Sequence, residues 1–134
     1  MAIFYSLAKR YGLAEGRRWE PLIVIPVALI GTWVPDWDLF FGIGFHRSPF
    51  FHSALPVLPL LVRRLRETTT GKMLVVGMSL GVASHLLWDT IAYGNVIMIP
   101  GGMLDRLFLL VNSAVCVCIA WRIRRDLAEP LHRT

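Results

Sequence analysis

Residues 35–53, PDWDLFFGIGFHRSPFFHS, bring Asp36, Asp38, His46, Arg47 and His52 into one short stretch. A second stretch, SHLLWDT at 84–90, adds His85 and Asp89. Imidazoles and carboxylates together form a mixed nitrogen and oxygen donor set that suits zinc, manganese or iron. The spacing of His85 and Asp89, four apart, points both from one face of a helix. Asp36 and Asp38 flank Trp37, where a bent or extended backbone lets both carboxylates reach one site. His46 and His52 bracket a loop. Six candidate ligands (Asp36, Asp38, His46, His52, His85 and Asp89) exceed the needs of a tetrahedral zinc. They fit two metals sharing carboxylates, or one metal with an acid-base partner. Ser53 and Ser84, each next to a histidine, are candidate supports for the ligands.

Each residue also has a plainer reading. Aspartates after a proline at a helix end serve as solvated caps. A histidine in a loop is often a surface residue, and Arg47 can snorkel to a lipid headgroup. His85 with Asp89 is harder to dismiss, because ionisable groups inside an apolar helix are costly and mark functional sites.

The elements that must position these residues are apolar blocks. Of the 134 residues, 55% are hydrophobic and 17% charged, and mean hydropathy is +0.57. Soluble domains hold about 45–50% apolar and about 25% charged residues, so the chain reads as a single membrane domain over residues 1–134. The formal net charge of +5 comes from clusters beside apolar blocks, where anionic headgroups are the natural partner. No nucleic-acid motif accompanies it, and nucleic acid is set aside. Cys116 and Cys118, two apart on a helix, do not face each other and read as small apolar residues. No signal-peptide pattern opens the chain.

Four spans are expected, at about 21–35, 49–63, 72–93 and 104–122, with Phe4 to Leu13 as an interfacial N-terminal segment. Pro56 and Pro59 predict a kink in the second span, and Asn112 in the fourth predicts an interhelical hydrogen bond. Lys and Arg gather before the first block, between the second and third, and after the fourth. The loops 36–48 and 94–106 hold only Arg47 and Arg106. The positive-inside rule then places both termini in the cytoplasm. Trp33, Trp37 and Trp88 fall at the outer boundary and Trp19 and Trp121 at the inner one. Asp105 and Arg106 are expected at the lipid–water boundary without a chemical role. In this topology all six candidate ligands reach one depth near the outer surface.

Pro35-Asp36-Trp37-Asp38, then His46-Arg47 leading to His52-Ser53, then Ser84-His85 leading to Asp89, with Gly94 and Pro100 beyond, resembles the YdjM-like family of predicted inner-membrane metal-dependent hydrolases of bacteria and archaea. The resemblance covers roughly residues 31–100. Leu39 stands where that family often has a histidine, and no histidine precedes His46. The resemblance implies a multi-pass protein of the bacterial or archaeal inner membrane that hydrolyses a phosphoester.

The expected function is therefore hydrolysis of a phosphoester, in a lipid or other amphipathic substrate, at the outer membrane–water boundary. One or two divalent metals would be held there, zinc favoured over manganese. Such a metal lowers the pKa of bound water from about 15.7 towards about 7. An aspartate outside the coordination, Asp38 in this assignment, takes the proton. Arg47 pairs with a phosphate oxygen in a geometry that lysine fills poorly. The competing class is a non-catalytic metal-binding or accessory subunit. Assembly as a homo-oligomer or within a larger membrane complex stays open.

Overall fold

A computed structural model describes residues 20–97, 99 and 102–128. The N-terminal segment expected at the interface lies outside them. The described chain is all helical: α1 (Glu20–Gly31), 3₁₀ helices Pro35–Phe41, Ile43–Phe45 and Leu55–Leu61, α2 (Arg63–Glu67), α3 (Thr69–Ala92) and α4 (Met103–Ala128).

The central element is α3. Thr68 caps it, its hydroxyl accepting from the Gly71 amide at 3.0 Å, which satisfies one otherwise unpaired donor. Its 24 residues reach about 36 Å, beyond the roughly 30 Å of hydrocarbon in a bilayer. It ends after Asp89: Gly94, at φ 58°, donates to the Asp89 carbonyl at 2.7 Å. Gly is the residue that takes this left-handed closing position at low cost.

Small residues let α1 lie close against α3. A Cβ built on Gly77 would meet the Val24 carbonyl oxygen and the Val27 side chain, and one on Gly81 would overlap the Ala28 carbonyl oxygen. This is the small-residue spacing by which helices approach closely in lipid. On another face of α3, Ser113 of α4 donates to the Ala83 carbonyl at 2.8 Å, fully buried. Val82, Leu86, Leu109 and Cys116 form the core between those two helices.

Both α3 and α4 are long and apolar enough to cross a membrane, and α1 with the Pro35–Phe41 helix makes a third crossing if the pair, bent by 43°, is one span. The surface agrees with lipid contact. Only 28% of the most apolar stretch of α4 is buried, so its remaining apolar face needs an apolar surrounding. Trp33, Trp37 and Trp88 are exposed around one end of the bundle and Trp121 lies toward the other.

The stretch expected as a kinked second span takes a different form. Residues 49–54 are turns and Leu55–Leu61 is a 3₁₀ helix. Pro56 and Pro59 remove two amide donors, and proline rings clash with the α-helical turn before them. The stretch nonetheless runs most of the length of α3. His52 touches Asp89 at one end, and a Cβ on Gly71 would overlap the Leu65 carbonyl at the other. Gly71 and Asp89 stand about 27 Å apart along α3. The 7 residues of the 3₁₀ helix, at about 2.0 Å per residue, supply about 14 Å of that, and the bends before it and α2 after it supply the rest. Asn112 secures it, accepting from the Ala54 amide at 3.0 Å, so its bond reaches the 3₁₀ segment rather than a second α-helix.

Asp105, expected at the lipid–water boundary, packs inside the protein. It is buried at 1% exposure in the first turn of α4. Its two oxygens have no hydrogen-bond partner among the described residues.

Candidate metal centre

All six candidate ligands converge at the end of α3 that carries His85 and Asp89. Asp36, His52 and His85 each offer one ligand atom, all within 4.8 Å of one another. Asp89 closes on the same point: its Oδ2 lies 3.4 Å from His52 Nε2 and 3.4 Å from His85 Nε2. Asp36 Oδ1 lies 3.7 Å from His85 Nε2.

The second nitrogen of each ring shows which way its lone pair points. His85 Nδ1 is 2.7 Å from the Thr32 carbonyl. A carbonyl can only accept, so Nδ1 carries the proton and Nε2 of the neutral ring presents its lone pair to the centre. His52 Nδ1 lies 3.2 Å from Asp38 Oδ2 without the alignment of a hydrogen bond. Among the described residues, neither nitrogen of His52, nor Nε2 of His85, has an aligned hydrogen-bond partner. The close pairs are thus near in distance but not aimed at one another.

The two aspartates of the Pro-Asp-Trp-Asp stretch part company there. A 3₁₀ helix turns about 120° per residue, so positions two apart point different ways. Asp36 faces His85 and remains partly exposed, whereas Asp38 turns inward to 1% exposure. Asp38 lies behind the centre: besides His52, it accepts from the Ser48 amide at 2.9 Å and lies 3.3 Å from His46 Nδ1. His46 is therefore one shell further out, its ring 5.8 Å from that of His52.

Arg47 holds a left-handed backbone, φ 65°, uncommon for a residue with a side chain. Its carbonyl accepts from Ile97 at 3.0 Å and its guanidinium lies 4.2 Å from the Tyr93 ring centroid, within cation–π range. A cavity of about 330 Å³ opens beside the cluster, with Asp36, His85 and Asp89 on its wall and His46, Arg47 and Tyr93 around them. Ser53 and Ser84 turn away to backbone carbonyls, Ser53 to Phe50 and Ser84 to Gly81, each at 2.8 Å. Ser84 and His85 are neighbours on a helix and point about 100° apart, so that serine does not face the histidine beside it.

Three contributors escape a reading of residue types. The Thr32 carbonyl and Ser48 amide are backbone groups that carry no compositional signal. Tyr93 sits four residues after Asp89, a spacing that could have flagged it.

The fold and site define a small all-helical chain with span-length helices and a buried Asp/His cluster at one end. The chain belongs to the family described as "Domain of unknown function (DUF5942)", whose model matches residues 21–129. No curated protein and no solved structure matches it.

Proposed function

We propose that this chain is a membrane-embedded metal-dependent hydrolase acting on a phosphoester of a lipid or other amphipathic molecule. Asp36, His52, His85 and Asp89 hold one divalent metal, zinc before manganese. The supporting observation is the crowding of imidazole nitrogens and a carboxylate oxygen to 3.4 Å without a hydrogen bond between them among the described residues. Opposed lone pairs at that distance repel unless a proton or cation lies between them. A tetrahedral centre with bonds of about 2.0–2.1 Å separates its ligand atoms by about 3.3–3.4 Å, and the His52–Asp89 and His85–Asp89 distances fall on that edge. The anchoring of His85 Nδ1 by the Thr32 carbonyl is the usual support of metal-bound histidine, and Asp38 stands behind His52 at 3.2 Å.

A divalent cation there supplies Lewis-acid activation of water and of a phosphoryl oxygen. The rest falls to the chain. Asp38, excluded from the centre, orients His46, and His46 Nε2 is the group at the cavity able to accept and return a proton. Arg47 grips phosphate, and Tyr93 holds the guanidinium over the cavity. The resemblance of these motifs to the YdjM-like family supports the same reaction class. We further read four crossings of a bacterial or archaeal inner membrane, with both termini cytoplasmic and the cluster at the outer side, from the distribution of Lys and Arg.

Metal analysis of protein purified without chelator tests this, joined to release of a phosphoester product from mixed micelles. One metal per chain and turnover that chelation abolishes are expected. Arg47→Lys should keep the metal and lose activity by about 10²–10³-fold, the range for removal of one transition-state donor. Stoichiometric metal without turnover of any lipid phosphoester would favour an accessory subunit; no metal at all would end the proposal. Asp38→Asn should weaken metal binding by about 10- to 100-fold, the range for a partner behind a ligand. Unchanged affinity by isothermal titration would remove Asp38 from that role.

A further inference from the structure

Away from the Asp/His cluster, α4 and the Leu55–Leu61 segment leave a groove of about 520 Å³ on the bundle surface. Val111, Val115 and Cys118 line one wall, Leu61 the other, and Arg66 and Arg122 stand at its end. Positions 111, 115, 118 and 122 form a single stripe of the helix. Along α4 that stripe measures about 16 Å, half of the roughly 30 Å hydrocarbon core and so the depth of one leaflet.

Charge follows the same axis. The stripe is apolar from Val111 to Cys118 and basic at Arg122, where Arg66 approaches from α2. Among the described residues neither of these arginines makes an ion pair. The nearby Arg63 is taken by Glu67 at 2.6 Å, and Arg125 lies over Trp121. The slot is one leaflet deep and ends in two guanidiniums free of carboxylates. That matches a phospholipid with its acyl chain along the stripe and its phosphate between the arginines. A net negative headgroup is required to match both charges.

We propose that this groove is a binding site for an anionic phospholipid of the leaflet at the basic end of the bundle, independent of the Asp/His cluster. The chain carries its own reporter. Cys118 is exposed in the groove, whereas Cys116 is buried. The experiment follows N-ethylmaleimide alkylation of Cys118, by mass spectrometry, in a neutral detergent with dioleoylphosphatidylglycerol or dioleoylphosphatidylcholine added. The anionic lipid should protect Cys118 at a mole fraction about 5- to 30-fold lower, the gain that one to two arginines bring near a phosphate. Arg66→Gln with Arg122→Gln should bring the two lipids level. Cys116 staying unreactive reports that the bundle remains folded. Equal protection by both lipids in the parent chain overturns the proposal and leaves an unselective lipid contact. A preference that survives in the folded double variant overturns it too. So does a Cys118 that resists alkylation without added lipid, which places a second copy or another segment of the chain over the groove.

Discussion

Asp89→Asn will leave the helices assembled and the metal lost. The substitution preserves shape in a residue that is 5% exposed, so packing against His52 and His85 is retained. What changes is the sign of one partner. The carboxylate Oδ2 sits 3.4 Å from both Nε2 atoms; an amide can place an N–H there and donate to one lone pair. In the metal-free variant that amide contact takes the place of the carboxylate–imidazole pair of the parent. Loss of a buried charge that meets a cation costs about 3–5 kcal/mol, or about 10²–10³-fold or more in affinity. Zinc at 100 times the dissociation constant stabilises a folded protein by about 2.7 kcal/mol. Thermal unfolding in detergent should thus rise with zinc in the parent and stay flat in Asp89→Asn. The variant's metal-free midpoint should equal or exceed the parent's. A variant that binds one zinc with parental affinity would remove Asp89 from the centre.

The sequence makes α3 and α4 legible because apolar length alone decides them. It makes His85 and Asp89 legible because a spacing of four fixes their common face. The form of residues 49–63 is a different matter. Their composition is right for a span, but Pro56 and Pro59 shift the backbone to a 3₁₀ path, and hydropathy is blind to rise per residue. The same blindness applies at Asp36 and Asp38. Whether two carboxylates flanking Trp37 share a target depends on the turn they occupy, and a 3₁₀ turn sends one to His85 and the other behind His52. Two supports of the cluster are backbone groups, the Thr32 carbonyl on His85 and the Ser48 amide on Asp38, positioned by the end of α1 and the loop after it. The seating of α1 against α3 was written in Gly77 and Gly81, three residues between them, and shows its meaning only once the partner helix is placed.

That seating gives the second large effect. Gly81→Ala will loosen α1 and the metal centre together. The added Cβ would overlap the Ala28 carbonyl oxygen and lie 2.7 Å from Gly31 Cα and 2.8 Å from the Gly31 carbonyl carbon. Every one of these atoms is backbone, so no rotamer change relieves the contact and α1 itself must move. Overpacking of this kind costs about 1–3 kcal/mol, occasionally more. The displacement travels directly into the site. Gly31 is followed by Thr32, whose carbonyl holds His85 Nδ1 at 2.7 Å, and then by Pro35 and Asp36. An outward shift of α1 by about 1 Å would stretch that bond past the usual range of about 2.7–3.2 Å, and would carry Asp36 further from His85. Gly44→Ala supplies the comparison, since a Cβ there meets nothing within 4 Å among the described residues and the backbone at Gly44 is not left-handed. Metal-free unfolding midpoints should fall for Gly81→Ala and hold for Gly44→Ala. Zinc titration should show weaker binding in the first variant alone. Parental stability and zinc affinity in Gly81→Ala would mean that α1 does not rest on Gly81, and that the His85 ring takes its orientation from something other than Thr32.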